Sequence, residues 1–180
     1  MIKQEDLVAM CKSGDQKSYT GLYNAHATAV YNTILRLVKY TDEAEDILQE
    51  SFVAAFQGIL GLKENTGFRP WVKRIAINKS IDLLRKRKLK FIELDSNYGV
   101  VEDDCIDEEA FEYTMDTISE AIAELPDAYR TVFNLYVIEN IPQAEIAQIL
   151  GIEHTTVRTQ YHRAKHKILN ILKEGAYREK

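Results

Sequence analysis

Apolar residues recur at helical spacing through most of the 180-residue chain. The clearest case is residues 42–57, where one helical face carries Ala44, Leu48, Phe52 and Ala55. Thr41 and the acidic residues after it are typical of a helix start, because carboxylates complement the positive end of the helix dipole. No stretch shows the convincing alternation of apolar and polar residues that a half-buried strand needs. The sequence therefore predicts an all-α fold.

The formal net charge of −5 conceals two adjoining blocks of opposite sign. Residues 69–90 contain nine basic residues and one acidic residue. Residues 91–128 contain 13 acidic residues and no Lys or Arg. Solvated helix faces beside an acidic loop are the ordinary alternative. A polyanion-binding segment joined to an acidic linker accounts better for such sharp segregation.

The helical pattern fades between Phe91 and about Asp116, where acidic and turn-forming residues replace it. A loop of this length without its own structure is uncommon inside one compact domain. We therefore expect two helical domains, residues 1–90 and 117–180, joined by a flexible acidic linker at residues 91–116.

Cysteine content and hydropathy exclude several classes of protein. The two cysteines, Cys11 and Cys105, are far apart and form no CxxC pair, which argues against a disulfide framework or a zinc ribbon. No apolar run approaches the ~20 residues of a membrane span. The N-terminus also lacks the apolar core of a signal peptide. We expect a cytoplasmic chain that does not insert into membranes and carries no cofactor.

Residues 142–168 have the spacing of a helix-turn-helix. Ala147 is small where two helices would cross, and Gly151 provides the positive φ that the turn requires. Val157 would then lock the second helix onto the first, with Tyr161, Ala164 and Ile168 continuing its buried stripe. The opposite face carries hydrogen-bond donors and no acid, which suits the major groove. Its residues are Arg158, Thr159, His162, Arg163 and His166.

Metal-binding and enzymatic alternatives are weaker. His162 and His166 are four residues apart and could face one metal ion, but no third ligand is apparent nearby. Carboxylates such as Asp103 and Asp104 lie in a segment without the apolar surroundings that raise a catalytic pKa. We therefore expect no metal site and no enzymatic activity.

Residues 67–87 interleave apolar and basic residues along a predicted helix. Basic side chains neutralise phosphates, and an exposed Asn can hydrogen-bond a base. Trp71 could stack on an unpaired base, although a place in the core is the favoured interpretation.

Four blocks together resemble a bacterial extracytoplasmic-function sigma factor. They are DEAEDILQESF at residues 42–52, FRPWVKRIAINKSIDLLR at 68–85, LPDAYRTVF at 125–133 and the helix-turn-helix. The blocks follow the order of that family and nearly span the chain.

The resemblance implies two domains, sigma region 2 and sigma region 4, and two partners, core RNA polymerase and promoter DNA. Region 2 would dock on the coiled coil of the largest polymerase subunit and open the −10 element. Region 4 would read the −35 element and rest on the polymerase flap. Many relatives are held by an anti-sigma factor, and the sequence leaves open whether this chain is. The polymerase, not the sigma factor, would supply the chemistry.

Residue roles follow by position in the matching blocks. The polymerase-docking face would comprise Asp46, Gln49, Glu50 and Val53. The −10 element would be contacted by Lys73, Asn78, Lys79, Arg85 and Arg87, with Asn78 reading an extruded base. The −35 element would be read by Arg158, Thr159, His162 and Arg163.

Several positions depart from the family pattern. Glu153, Thr155 and Gln160 differ near the recognition helix, and Pro142 replaces a frequent capping Ser, which leaves the −35 preference open. Residues 58–66 align loosely with the loop that forms the −10 base pocket, so the −10 preference is open too. A stand-alone helix-turn-helix regulator is the alternative, but it explains neither block 42–52 nor block 68–85.

Overall fold

The computed structural model describes residues 4–63, 67–87 and 114–178. The secondary structure in these ranges consists of α-helices, a 3-10 turn and a π-helical turn. No strand occurs in them, so the predicted all-α fold is confirmed. The chain divides into two compact units, Met1–Arg87 and Lys88–Lys180, hereafter unit 1 and unit 2. Most of the predicted acidic linker lies outside the described residues.

Unit 1 is built from three mutually packed helices and a shorter N-terminal helix that packs against one of them. A single 3-10 turn, Ile59–Gly61, follows the third helix. The helices are α1 (Gln4–Lys12), α2 (Gln16–Val38), α3 (Thr41–Gln57) and α4 (Phe68–Lys86).

Local signals explain where α2 begins and ends. The Asp15 carboxylate accepts a hydrogen bond of 3.0 Å from the backbone amide of Ser18, which caps the first turn. At the other end, Lys39 adopts the left-handed conformation with φ 76°, and its amide donates to the Leu35 carbonyl. Helix α3 then starts at Thr41, where Asp42 and Glu43 lie in the first turn as the sequence predicts.

Aromatic side chains form the centre of unit 1. Phe52 and Phe68 are 2% and 1% exposed, and their ring centroids lie 6.3 Å apart. Burying one such ring contributes roughly 1.5–3 kcal/mol. The predicted α3 stripe of Ala44, Leu48, Phe52 and Ala55 is buried throughout, which confirms the helical register of residues 42–57.

His26 makes the stability of unit 1 depend on pH. Burial lowers the pKa of its imidazole, and the positive charge of Arg69 lowers it further. Because the folded-state pKa lies below the unfolded value of about 6.5, the unfolded chain binds the proton more readily, and stability is lost as pH falls below that value. We expect the denaturant midpoint, followed by fluorescence of Trp71, to fall between pH 7 and pH 5.

Comparison of variants isolates the contribution of this histidine. His26→Gln is expected to show a shallower loss of stability across the same pH range. The matched variant His154→Gln, at an exposed position of unit 2, should keep the wild-type slope. Parallel pH profiles for wild type and His26→Gln would contradict the assignment.

The described part of unit 2, residues 114–178, contains four further helices and one π-helical turn. The turn, Asn134–Ile138, continues directly from the second of these helices. The helices are α5 (Met115–Ala123), α6 (Asp127–Phe133), α7 (Gln143–Leu150) and α8 (His154–Arg178). Helix α5 begins within residues 91–116, and the Thr114 hydroxyl caps it by accepting from the Thr117 amide.

A separate hydrophobic core holds unit 2 together. Helix α8 packs against α5, α6 and α7. The buried cluster, formed by α5, the residue Leu125 that follows it and the middle of α8, comprises Ala121, Leu125, Ala164, Ile168 and Leu172. Tyr129 and Phe133 of α6 pack against the same cluster. The long second helix of the helix-turn-helix is therefore also the central element of its unit.

A buried arginine fixes the corner between α5 and α6. Arg130 is 4% exposed, and its guanidinium donates a 3.1 Å hydrogen bond to the Leu125 carbonyl. The same guanidinium forms an ion pair with the Asp127 carboxylate. A buried charge is tolerated only when it is paired in this way. The corner thus orients α6, against which α8 packs.

Candidate polymerase and nucleic-acid interfaces

Helix α3 presents a continuous exposed stripe opposite its buried face. Asp46, Gln49, Glu50 and Val53 are all exposed, and their i, i+3, i+4, i+7 spacing places them along one line of the helix. Val53 is 55% exposed although its side chain is apolar. An acidic line with an apolar residue at its end is suited to contact another protein. The sequence-predicted docking residues are therefore together on one surface.

An ion pair connects this stripe to helix α4. The Lys79 ammonium lies 2.9 Å from the Glu50 carboxylate, and the two side chains are 33% and 65% exposed. Pairs this exposed contribute only about 0–1 kcal/mol, so either partner can be exchanged at small cost. The structure thus brings together two residues that the sequence analysis assigned to different partners.

The exposed face of α4 is centred on Asn78. Arg74 and Arg85, four residues before and seven after it, are exposed on the same side of the helix. Arg85 lies 3.4 Å from the Asp82 carboxylate, whereas Lys73 is half-buried at the flank of this face. The sequence analysis did not assign Arg74, although its i, i+4 spacing from Asn78 was a usable signal. The face therefore presents one amide between two guanidinium groups, with the Asp82 carboxylate beside Arg85, and amide and guanidinium groups are donors that proteins use to contact nucleic acid.

Arg87 has a structural role that the sequence analysis did not anticipate. Its guanidinium forms an ion pair with the Glu43 carboxylate and lies 5.1 Å from the centre of the Tyr40 ring. It also lies 3.5 Å from the Val38 carbonyl. Arg87 therefore ties the end of α4 to the turn between α2 and α3, away from the line of Arg74 and Asn78.

The 3-10 turn after α3 packs against α1 and α3, and it starts at Gly58 beside α4. Ile59 and Leu62 are 3% and 5% exposed, whereas Leu60 between them is 74% exposed. A Cβ atom at Gly58 would lie 3.5 Å from the six-membered ring of Trp71 on α4. The part of residues 58–66 that the structure describes is thus anchored beside the basic helix. Residues 64–66 lie outside the described residues.

In unit 2, α7 and α8 form the predicted helix-turn-helix. Gly151 adopts φ 67°, and its amide donates to the Ala147 carbonyl. This left-handed conformation is the one that favours glycine. Ala147 is 8% exposed and Val157 is fully buried, so the spacing argument for these three residues is confirmed.

The outward face of α8 carries the predicted −35 readers with unequal exposure. Arg158 and Thr159 are exposed, whereas His162 and Arg163 are half-buried. The Thr159 hydroxyl donates a 2.9 Å hydrogen bond to the Thr155 carbonyl. In the free protein this hydroxyl is therefore engaged within the helix, and the two arginines are the longest donors of the face.

Tyr161 lies at the edge of the buried stripe and is half-buried. Its ring centroid lies 4.8 Å from that of Tyr136 and 6.4 Å from that of Phe133. Burial raises the pKa of Tyr161, and neighbouring Tyr136 raises it further. The phenol therefore stays neutral, and its ring secures α8 against the π-helical turn.

Gln160 belongs to the buried side of α8. It is 6% exposed, three residues after Val157 and four before Ala164, two residues that are fully buried. The expectation that its departure from the family pattern bears on the −35 surface is therefore wrong, because the side chain faces the interior. Glu153 and Thr155 are exposed and remain part of that surface.

No metal site forms among residues 4–63, 67–87 and 114–178, in which no three His, Cys, Asp or Glu side chains are grouped to hold an ion. Within the same described ranges, no helix combines the length and apolar character needed to cross a bilayer.

Comparison with known proteins assigns both units. Residues 22–90 match the Sigma-70 region 2 family, and residues 115–168 match the Sigma-70, region 4 family. The ECF RNA polymerase sigma factor SigW of Bacillus subtilis is 32% identical, over 97% of this chain and 98% of the relative. The corresponding SigE of Mycolicibacterium smegmatis is 29% identical, over 89% of this chain and 65% of the relative.

Solved structures share the fold. CnrH, in complex with the cytosolic domain of CnrY, matches with a TM-score of 0.57 and 23% identity over 95% of this chain and 97% of its own. The sigma factor RpoE, in complex with the anti-sigma factor NepR from Bartonella quintana, matches with a TM-score of 0.56 and 20% identity over 87% and 98%.

The region 2 match in unit 1 argues against a stand-alone helix-turn-helix regulator, because such a protein would need only the helix-turn-helix. Sigma factors have no enzymatic activity of their own; they bind core RNA polymerase and direct initiation at −10 and −35 promoter elements. The chain belongs to the extracytoplasmic-function family of RNA polymerase sigma factors.

Proposed function

We propose that three surfaces divide the work of promoter recognition in this protein. The exposed stripe of α3 docks on core polymerase, the face of α4 around Asn78 opens and reads the −10 element, and the outer face of α8 reads the −35 element. The observation that best supports this division is the Glu50–Lys79 pair, which places the docking stripe next to the basic face of α4.

For the −10 element, the support is the arrangement of donors around Asn78. An exposed amide can hydrogen-bond the edge of an unpaired base, while Arg74 and Arg85 on the same face neutralise phosphates. Lys73 and Lys79 extend the positive charge to the flanks of this face. Arg87 supports the surface from the end of α4 through its contacts with Glu43 and Tyr40.

For the −35 element, the support is the buried anchoring of α8. Val157, Ala164 and Ile168 fix the helix on the core of unit 2, so its outer face is presented rigidly. Arg158 and Arg163 reach the major groove from this face, and Thr159 and His162 lie between them.

We also propose a cytoplasmic location and an anti-sigma partner. Core RNA polymerase works in the cytoplasm, so its specificity subunit must meet it there. Two proteins of the same fold were solved with such partners, CnrH with the cytosolic domain of CnrY and RpoE with NepR. Co-purification of the tagged chain from native cells tests the partner directly.

Reversing one charge on the docking stripe tests the polymerase surface. Asp46→Arg is expected to weaken binding to core polymerase by about tenfold, because like charges placed across an interface oppose docking. Stability should change by only ~0.5 kcal/mol, since the residue is exposed on a helix surface. Equilibrium titration of labelled chain with core enzyme measures the effect, and thermal unfolding checks the fold.

Glu45→Arg is the matched control, because Glu45 is exposed on the same helix but lies off the stripe. Asp46 is a sharper probe than Glu50, whose replacement would also release Lys79. Equal affinity of the two variants for core enzyme would remove Asp46 from the docking surface.

A further inference from the structure

A lysine outside the region 2 match contacts the turn that follows α3. Helix α1 ends at Lys12, whereas the match to region 2 begins at residue 22. The Lys12 ammonium donates a 2.8 Å hydrogen bond to the carbonyl of Leu62, fifty positions away in the chain. A charged donor to a carbonyl makes a stronger bond than a neutral one.

Helix α1 holds this lysine in a fixed place. Cys11, the residue before it, is 1% exposed, and its carbonyl accepts a 3.0 Å hydrogen bond from the Tyr19 hydroxyl. The Ser18 hydroxyl lies 3.0 Å from the Cys11 sulfur. Gly21 lets α1 approach closely, because a Cβ there would lie 3.2 Å from the Leu7 side chain. Lys12 therefore projects from a tightly seated helix.

The hydrogen bonds within the turn show why the Leu62 carbonyl can accept from Lys12. Its internal hydrogen bonds run from the Gly61 amide to the Gly58 carbonyl and from the Leu62 amide to the Ile59 carbonyl. The Leu62 carbonyl lies just beyond these bonds and is the point at which the chain leaves the turn. Lys12 binds that carbonyl, and so fixes the end of a turn that starts at Gly58 beside Trp71 of α4 and carries the exposed Leu60.

We infer that Lys12 is a positioning residue for −10 recognition, which sets the base preference of the turn around Leu60 without touching DNA. This inference rests on the proposed assignment of the −10 element to the face of α4 around Asn78, and it adds to that surface the turn that starts beside Trp71. It makes the N-terminal helix part of promoter specificity, through one charge-assisted hydrogen bond.

The test compares four full-length proteins, each assembled with core polymerase at fixed salt, on promoter fragments that differ by single bases in the −10 element. Lys12→Met removes the donor and keeps the apolar stem. Lys12→Arg keeps a charged donor. Lys17→Met makes the same charge change at an exposed position of α2, and Asn78→Ala removes the proposed base reader.

Lys12→Met is expected to change the ratio of transcription between −10 variants by about three- to tenfold, the range that one lost hydrogen bond corresponds to. Its affinity for core polymerase and its discrimination among −35 variants should stay as in wild type. Lys12→Arg should restore the wild-type ratios, and Lys17→Met should not disturb them.

Three results would overturn the inference. They are wild-type ratios in Lys12→Met, a uniform loss on all −10 variants with weaker polymerase binding, and failure of Lys12→Arg to restore the ratios. Asn78→Ala separates this outcome from failure of the proposed function. If that variant also leaves the −10 ratios unchanged, the assignment of α4 falls; if it alters them, only the role of Lys12 is at stake.

Discussion

Asn78→Ala is expected to slow promoter opening by about tenfold or more while leaving promoter binding nearly intact. The amide can hydrogen-bond a base edge only after that base has left the stack, and extrusion costs a few kcal/mol that the contact must offset. A good side-chain contact to a base is worth roughly 1–3 kcal/mol. Permanganate footprinting of the −10 region, with binding measured in parallel, separates melting from association.

The matched control is Asn24→Ala, which removes the same amide from an exposed position of α2. It should melt promoters at the wild-type rate. Normal melting by Asn78→Ala would take the residue out of base reading. Equal loss of binding and melting would instead assign it to phosphate contact, together with Arg74 and Arg85.

Arg158→Ala and Arg163→Ala are expected to separate base reading from general attraction at the −35 element. If an arginine contacts guanine through two hydrogen bonds, its loss should cost ~1–3 kcal/mol and relax the preference at one base pair. If it contacts only phosphate, affinity should fall equally on all sequences, with a shallower dependence on salt. Binding of the holoenzyme to a set of −35 variants at several salt concentrations distinguishes the two.

The two arginines differ in a way that sharpens this prediction. Arg158 is exposed, whereas Arg163 is half-buried and its Nε atom is inaccessible to solvent. A side chain whose stem is already fixed loses less entropy when it binds. Lys173→Ala, which removes one charge from the far end of α8, serves as the control. Indifference of both arginine variants on every promoter would mean that this helix does not face DNA.

The elements with strong local signals were predictable from the sequence. Residues 42–57 have the apolar period of a helix and acids in its first turn, and α3 spans Thr41–Gln57. The spacing of Ala147, Gly151 and Val157 predicted the turn between α7 and α8. A small residue is needed where the helices cross, a glycine at the positive φ of the turn, and an apolar residue to hold the second helix on the first. The exposure of the α3 stripe followed from the same periodicity, whereas Asn78 was assigned from its position in the block at residues 68–85.

What could not be predicted depends on residues that meet only after folding. The Glu50–Lys79 pair joins two helices, and the contacts of Arg87 with Glu43 and Tyr40 require the end of α4 to reach the turn before α3. The bond from Lys12 to the Leu62 carbonyl spans fifty positions. Helical period identifies which face a residue occupies, but not which other element lies opposite it.

The π-helical turn was also missed, for a different reason. The sequence analysis assigned no element to residues 134–138, which form the turn, and Asn140 after them adopts φ 55° without being glycine. Asn tolerates this left-handed conformation better than most residues, so only the identity of one side chain hints at it. Gln160 is the opposite case, because its helical spacing from Val157 and Ala164 already indicated that its side chain would be buried.

The buried clusters described above, one around Phe52 and Phe68 and one around Ala164, are formed by helices of different units, which bears on how such a protein can evolve. A substitution among Ala121, Leu125 and Ala164 would strain the scaffold of the proposed −35 surface, whereas Phe52 and Phe68, which support the proposed −10 surface, belong to the other cluster. Mutations that alter the preference for one promoter element therefore need no compensating substitution in the other unit. A lineage can therefore change its −35 preference while it keeps its −10 preference. A new set of promoters can come under the control of such a protein through changes in one unit.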